Sequence, residues 1–190
     1  RVSRFTLDLD EKRLDPESEV VILEVPHQRQ VCCHTAGSVQ FGPDGLLYLS
    51  TGDDTEHARS DGRSNHDARP CGPNSWNPGD ANCNQNPDSW ATDARHANDS
   101  RRSAGNTNDL RGKILRIDPI EEATPDDPPG VGSTYEIPEG NLFDESEDTE
   151  DRTRPEIYTM GHRNPFRFGF DPKTGWIYQG EVGPDAGNDS

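Results

Sequence analysis

His34 and Asp53 are the residues of this chain whose types and positions best suit general-base chemistry. His34 precedes a predicted hairpin at residues 37–49, and Asp53 follows the second strand of that hairpin. A hairpin returns to the end from which it began, so we expect both side chains at one rim. A carboxylate that holds an imidazole fixes its tautomer and supports its role as a base. The competing interpretation is a histidine satisfied by a turn carbonyl and an aspartate that caps its own loop.

A second set of candidates lies in Gly161-His162-Arg163-Asn164-Pro165 and in Gly183-Pro184. Arg163 is permanently charged, and its guanidinium can fork onto a carboxylate or a quinone oxygen. Gly183 and Pro184 leave backbone carbonyls that can point at a hard cation, because proline donates no N–H and glycine permits an unusual turn. Taken singly, each of these segments is also ordinary turn chemistry.

The four cysteines leave the disulfide pairing open. Cys71 and Cys83 are far enough apart to close a disulfide loop, whereas the adjacent Cys32 and Cys33 rarely bond to each other, so each is free or one pairs elsewhere. Disulfides predict a location outside the cytosol. A zinc site is an alternative that lacks the usual CxxC spacing. Its ligands would be Cys71, Cys83, His57 and His66.

Short apolar runs separated by turn residues predict an all-β chain. The predicted strands lie within residues 2–9, 20–25, 39–49, 114–117, 157–160 and 166–182. Segments 39–48 and 168–178 resemble each other, since both read as strand, Pro/Asp/Gly turn, strand. Such a hairpin repeated around an axis is typical of β-propeller blades, although a simple meander also reuses turns. At roughly 40 to 50 residues per blade, the chain supplies about four blades at most, so a closed propeller needs more chain.

A polar insertion at about residues 54–108 and two acidic loops, 121–132 and 144–154, separate these strands. The insertion contains no Val, Ile, Leu, Met, Phe or Tyr, so it cannot bury a core of its own. Its carboxylates do not form a DxDxDG calcium loop, and we expect a solvated acidic face. These carboxylates include Asp54, Glu56, Asp61 and Asp67.

The charge balance excludes non-specific binding to nucleic acids. Thirty-six acidic residues oppose 19 basic ones, of which only three are lysine, and the formal net charge is −17. An acidic excess that retains arginine and lacks lysine is typical of a protein adapted to high salt. The alternative is an acidic, linker-rich fragment of an ordinary secreted protein. No apolar run is long enough for a transmembrane segment or a secretory signal, and an upstream signal can have been removed.

Four motifs in order resemble the soluble quinoprotein glucose/sorbosone (aldose sugar) dehydrogenases. They are the stretch from His34 to Asp53, Leu110-Arg-Gly-Lys-Ile-Leu-Arg-Ile-Asp118, Gly161-His-Arg-Asn-Pro165, and Gly183-Pro184. The resemblance implies a six-bladed β-propeller, of which residues 1–190 form part, and the cofactors pyrroloquinoline quinone (PQQ) and Ca²⁺. It also implies extracytoplasmic oxidation of an aldose sugar at its anomeric carbon, with an external electron acceptor.

The resemblance also assigns roles by position. His34 matches the general base and Asp53 the carboxylate that orients it, while Arg163 and Asn164 match residues that contact the quinone oxygens. Gly183 and Pro184 match carbonyl ligands of Ca²⁺, and Lys113 falls in a motif that we interpret as structural. Two positions depart from the best-known members, which have Gln at the position of Val182 and Asp at the position of Cys33. The alternative is therefore a non-catalytic extracellular β-propeller scaffold.

Overall fold

The computed structural model describes residues 1–27, 33–35, 37–55, 103–144, 146, 148, 150 and 152–183. Within these ranges the named elements are β-strands and the 3₁₀ turn Pro16–Ser18, so the all-β prediction is confirmed. The strands are β1 (Val2–Arg4), β2 (Leu7–Asp8), β3 (Arg13–Leu14), β4 (Val20–Leu23), β5 (Val39–Phe41), β6 (Leu47–Thr51), β7 (Lys113–Pro119), β8 (Tyr135–Glu136), β9 (Ile157–Met160), β10 (Pro165–Phe170) and β11 (Ile177–Glu181).

The central sheet is built around β7. This strand pairs antiparallel with β6 along one edge, and β5 extends the sheet beyond β6. On its other edge β7 pairs with β9 near Lys113 and with β8 near Asp118. The remaining strands form the two-stranded sheets β1–β4, β2–β3 and β10–β11. β7 thus pairs with β6 on one edge and with both β8 and β9 on the other, which makes it the central strand of the sheet.

The core follows the two-residue alternation of β6 and β7. Leu47, Leu49, Leu115 and Ile117 lie in the larger apolar cluster, together with side chains from β4. On the opposite face, Tyr48 and its neighbours form a smaller cluster with Phe168 of β10, in which the rings meet edge to face. Both faces of β6 and β7 are therefore covered, which explains their continuous apolar sequences.

The two hairpins predicted from their similarity are present. β5 pairs with β6, and β10 pairs with β11, each antiparallel and each closed by a turn with a glycine at positive φ, Gly45 and Gly175. Only glycine adopts this conformation without strain. One predicted strand differs: residues 2–9 divide into β1 and β2, which pair with different partners. β8 was not predicted, because two residues between acidic loops carry no periodic pattern. No described helix is long and apolar enough to cross a membrane.

Candidate functional site

The candidate site lies where β6 and β9 end and β7 begins. Backbone hydrogen bonds join the three loops at this rim: Asp53 N–H donates to the Arg163 carbonyl at 2.8 Å, and Gly112 N–H donates to the Gly52 carbonyl at 2.8 Å. His162 N–H in turn donates to the Gly112 carbonyl at 3.1 Å. Segments distant in sequence are thereby held in one rigid frame. The predicted residues Asp53 and Arg163 share this rim.

The segment that carries His34 lies directly against Gly52. A Cβ atom at Gly52 would overlap the His34 carbonyl, so only glycine allows this close approach. The Asp54 N–H then donates to the His34 carbonyl at 3.2 Å. Cys33, His34 and Asp54 have φ angles of 87°, 55° and 59°. Left-handed conformations of non-glycine residues are costly and concentrate at functional sites, where neighbouring structure enforces them.

His34 and Asp53 are in direct contact. His34 Nδ1 lies 2.8 Å from Asp53 Oδ1, and both side chains are buried. Thr55 completes the group, since its backbone N–H and its hydroxyl both donate to Asp53 Oδ1, at 3.1 and 2.8 Å. Since the carboxylate accepts from Nδ1–H, the neutral imidazole carries its free lone pair on Nε2. The sequence did not single out Thr55, because it falls in the segment interpreted as a polar insertion.

Asp54 points away from His34 and into a buried ion chain. Its Oδ2 accepts from Arg111 Nη1 at 3.2 Å, and Arg111 also contacts Asp109 through Nε and Nη2, with Nη2 2.6 Å from Oδ2. Burial opposes the charge of Asp109, but Arg111 outweighs it and holds the pKa of that carboxyl below its usual range. The expected solvated acidic face is thus wrong for Asp54, whose side chain is fully buried and ion-paired. Glu56, Asp61 and Asp67 lie outside the described residues.

Lys113 begins β7 and is completely buried. Its ammonium donates to the carbonyls of Ser103, Ala104 and Arg111 at 2.7, 3.2 and 2.7 Å. Burial lowers the pKa of Lys113 to about 7, against an attraction from Asp109 that raises it. Ser103 and Ala104 belong to the last residues of the insertion, and Arg111 to the segment that follows it. The contacts support the interpretation of Lys113 as structural.

Arg163 and Asn164 lie in the loop between β9 and β10. Arg163 Nη1 donates to the carbonyls of Val182 and Gly183 at 2.8 and 2.9 Å. The backbone N–H of Asn164 donates to Glu181 Oε1 at 2.6 Å, and its carbonyl accepts from Val182 N–H. The side-chain oxygen of Asn164 is buried and has no hydrogen-bond partner among the described residues. Buried amide oxygens nearly always accept a hydrogen bond, so a water or a bound molecule can supply the donor here.

His162 lies in the same loop as Arg163 and Asn164, and the sequence did not indicate its role. Gln179 donates to its Nδ1 at 3.0 Å, and its Nε2 lies 2.7 Å from the Thr159 hydroxyl. Burial lowers the pKa of His162, although Glu181 opposes this shift. The imidazole bridges β9 and β11 through these two hydrogen bonds. Its place in the Gly161–Pro165 loop carried no signal of this role.

Several predicted residues fall outside what the structure describes. Gly183 is at the end of a described range, and Pro184 lies beyond it. Cys33 is disulfide-bonded, so it is not a free thiol, whereas the other three cysteines lie outside the described residues. His57 and His66 of the alternative zinc site also lie outside them. Among the described residues, no group of three His, Cys, Asp or Glu side chains is arranged to hold a metal ion.

Comparisons with known proteins identify a family. The sequence model of the family described as Glucose / Sorbosone dehydrogenase matches residues 90–190, a range that includes Arg163, Asn164, Gly183 and Pro184. Two curated relatives from Arabidopsis thaliana are similar, HIPL1 protein at 29% identity over 80% of this chain and HIPL2 protein at 28% over 79%. Each match covers 16% of the relative, so the chain spans about a sixth of their length.

Among solved structures, a glucose dehydrogenase superposes with a TM-score of 0.52 at 21% identity. The match covers 96% of this chain and 34% of that chain. At this identity the likeness concerns the fold, and it identifies the chain as part of a β-propeller.

Proposed function

The chain belongs to the glucose/sorbosone dehydrogenase family, and from this premise we propose that it is part of a PQQ-dependent enzyme that oxidises an aldose sugar. The observation that carries the proposal is the buried contact between His34 and Asp53. An imidazole held by a carboxylate at a loop rim is the arrangement that a general base needs. The site of oxidation is the anomeric carbon, and an external acceptor later removes the electrons.

The residues of this chain perform the proton transfer. Asp53 accepts the Nδ1–H of His34, and Thr55 keeps the same carboxylate oxygen in place. Nε2 of His34 accepts the proton from the anomeric hydroxyl of the sugar. The imidazolium that forms is stabilised by the charge of Asp53, which is buried and therefore acts with little screening.

The described residues fit a quinone cofactor. Arg163 offers a permanent positive charge at the same rim as Asp53, and the side-chain amide of the adjacent Asn164 carries an NH₂ group that can donate to an acceptor oxygen of the quinone. The chemistry that a bound PQQ would supply is a hydride acceptor for the anomeric carbon. We propose that Arg163 and Asn164 hold its polar edge, and that Arg163 stabilises the negative charge that develops there.

The described residues do not by themselves fit Ca²⁺. The Gly183 carbonyl, the one described member of the predicted pair, accepts a hydrogen bond from the Arg163 guanidinium. A fixed positive charge at that oxygen opposes a divalent cation at the same place. No step of the proposed reaction therefore depends on Ca²⁺ held by these residues. The proposed role of Gly183 and Pro184 as its ligands stays a prediction.

A second candidate is a non-catalytic extracellular β-propeller scaffold. The observation that favours it is Cys33, which is disulfide-bonded and stands where the best-known members have an aspartate beside the base. Val182 likewise offers an apolar side chain where those members have glutamine. Both changes remove polar contacts with substrate or cofactor, and so they also bear on which sugar is accepted.

The test is turnover by the full-length protein with PQQ, Ca²⁺, a dye acceptor and a panel of aldoses. We expect oxidation of at least one aldose, a loss of turnover in His34→Ala, and a fall in kcat of about 10²- to 10⁴-fold in Asp53→Asn. Asp44→Asn is the matched control, because Asp44 accepts a hydrogen bond from the Tyr48 hydroxyl at the turn of the same hairpin, the end opposite to the His34–Asp53 pair. Absence of both turnover and a PQQ absorbance change would contradict the enzyme and favour the scaffold instead.

We also propose an extracytoplasmic location. The disulfide at Cys33 supports it, since disulfides persist in oxidising compartments and are rare in reducing ones. Thiol titration of protein taken from its native host provides the test. Reduced Cys33 in that material would contradict the proposal.

A further inference from the structure

A buried ion chain lies directly behind the His34–Asp53 pair. Arg111 joins two carboxylates, since Nη1 contacts Asp54 at 3.2 Å while Nε and Nη2 contact Asp109 at 3.0 and 2.6 Å. The Asp54 side chain is fully buried, and those of Asp109 and Arg111 are 3% and 7% exposed. Ions so deeply buried must be paired, and the planar guanidinium can serve two carboxylates at once.

Asp54 connects this ion chain to both members of the pair. It follows Asp53 in sequence, so fixing Asp54 in place also restrains the peptide that joins it to Asp53. Its own N–H donates to the His34 carbonyl at 3.2 Å. Its φ of 59° is one that a non-glycine residue keeps only when its surroundings enforce it. The ion pair with Arg111 supplies such a constraint on its side chain.

We propose that Arg111 is a positioning residue for the base, acting through Asp54. By anchoring the Asp54 carboxylate, it keeps the 53–55 loop in the one conformation that places Asp53 Oδ1 against His34 Nδ1. The inference rests on the proposed function, because it assigns Arg111 a part in that reaction. Without Arg111, the carboxylates of Asp54 and Asp109 repel each other and turn toward water, and the loop loses this anchor.

The primary experiment reads the imidazole directly, by ¹⁵N NMR of the histidines in the full-length protein near neutral pH. We expect His34 to be held as the Nδ1–H tautomer in the wild type. In Arg111→Met we expect a mixture of tautomers, together with a fall in kcat of at least 10-fold and a change in KM below about 3-fold. Arg111→Lys restores the charge without the fork, so we expect partial recovery of both readouts.

Arg116→Met is the matched control, because Arg116 is another buried arginine of the same segment. Its guanidinium contacts Asn141 and the Glu139 carbonyl, away from the His34–Asp53 pair. We expect this variant to keep the wild-type tautomer even where it lowers stability. A folded Arg111→Met protein with an unchanged tautomer and unchanged kcat would overturn the inference. Should that variant not fold, Asp54→Asn tests the same link with nearly the same side-chain volume.

The two proposals fail in different ways. If no aldose is oxidised, or if His34→Ala leaves turnover intact, the proposed function is wrong. The comparison of His34 tautomers in Arg111→Met and Arg116→Met still decides whether Arg111 orients the imidazole. If turnover depends on His34 while the His34 tautomer in Arg111→Met equals that of the wild type, only the positioning inference is wrong.

Discussion

Three non-glycine residues of the site have left-handed backbone conformations: Cys33 and His34 in one loop, and Asp54 in the loop that contacts it. Each would be unfavourable in an isolated peptide, because Cβ meets the neighbouring backbone in that region. They persist here because hydrogen bonds from Asp54 to the His34 carbonyl and from Asp53 to the Arg163 carbonyl fix both loops. The residue types of the base could be predicted from sequence, but these conformations depend on contacts between distant segments.

Lys113 leads to a prediction about pH and stability. Its pKa is about 7 in the folded protein and 10.5 in a free lysine side chain. Between these values the unfolded chain holds a proton that the folded chain has released, so stability rises with pH across this window. Below it both states are protonated, and the contribution of Lys113 to stability no longer changes with pH. We expect the wild type to gain up to about 1.4 kcal/mol per pH unit relative to Lys113→Met. Urea unfolding from pH 6 to 9 measures this difference.

A direct titration is the control for that experiment. The ¹³Cε resonance of Lys113 should titrate near pH 7, and Lys113→Arg identifies the resonance by its disappearance. Parallel stability profiles in the wild type and Lys113→Met, with no lysine resonance moving near neutrality, would contradict the prediction.

At the level of elements, the local apolar runs predicted where the strands lie, but they did not predict which strands pair with each other. The runs of Val, Ile, Leu and Phe located β4, β6, β7 and β9 to within a few residues. β7 pairs with β6, β8 and β9. A local sequence pattern does not predict these pairings, because they join segments that are far apart in the chain. The same limit hid the role of Arg111, whose partner Asp54 is 57 residues away in sequence.

Gly52 follows the end of β6 and lies against the loop that carries His34, and a substitution there tests the importance of this contact. In Gly52→Ala the added methyl group overlaps the His34 carbonyl, which must move. We expect a loss of about 1–3 kcal/mol in the free energy of unfolding and a disturbed His34 tautomer in ¹⁵N NMR. The matched control is Gly169→Ala in β10, where an added Cβ meets no atom within 4 Å. Equal effects of the two substitutions would show that the close approach has no special importance.

At the scale of the whole molecule, both hairpins expose large apolar side chains. Val39 and Phe41 of β5 and Trp176 and Tyr178 of the β10–β11 hairpin are all exposed. Isolated exposed apolar residues are ordinary, but a group of aromatic ones is usually an interface. The match covers only 34% of the solved glucose dehydrogenase, so we propose that further blades of the propeller cover these residues. The domain assignment of residues 1–190 as part of one propeller stays a prediction.

The net charge of −17 predicts that stability depends on salt. Carboxylates on the surface repel one another, and raising the ionic strength from 0.1 to 1 M shortens the Debye length from about 10 to 3 Å. We therefore expect the midpoint of thermal unfolding to rise between 0.1 and 2 M KCl. A variant that neutralises the exposed Glu121, Glu122 and Asp126, as Gln, Gln and Asn, should show a shallower rise.

Calorimetry of the two proteins across this series measures the effect. Identical slopes would mean that salt acts through apolar burial rather than through charge, and the proposal of adaptation to high salt would lose its support.

Local chemistry in the chain was sufficient to indicate an all-β fold, the repeated hairpin and the residue types of a base, because side-chain alternation and turn glycines act over a few residues. The site itself depended on folding. His34 meets Asp53 across 19 residues, Thr55 joins them, and Asp54 turns inward to Arg111. A carboxylate in a polar sequence is predicted to face water, and only the burial of an arginine beside it makes the interior the more favourable place.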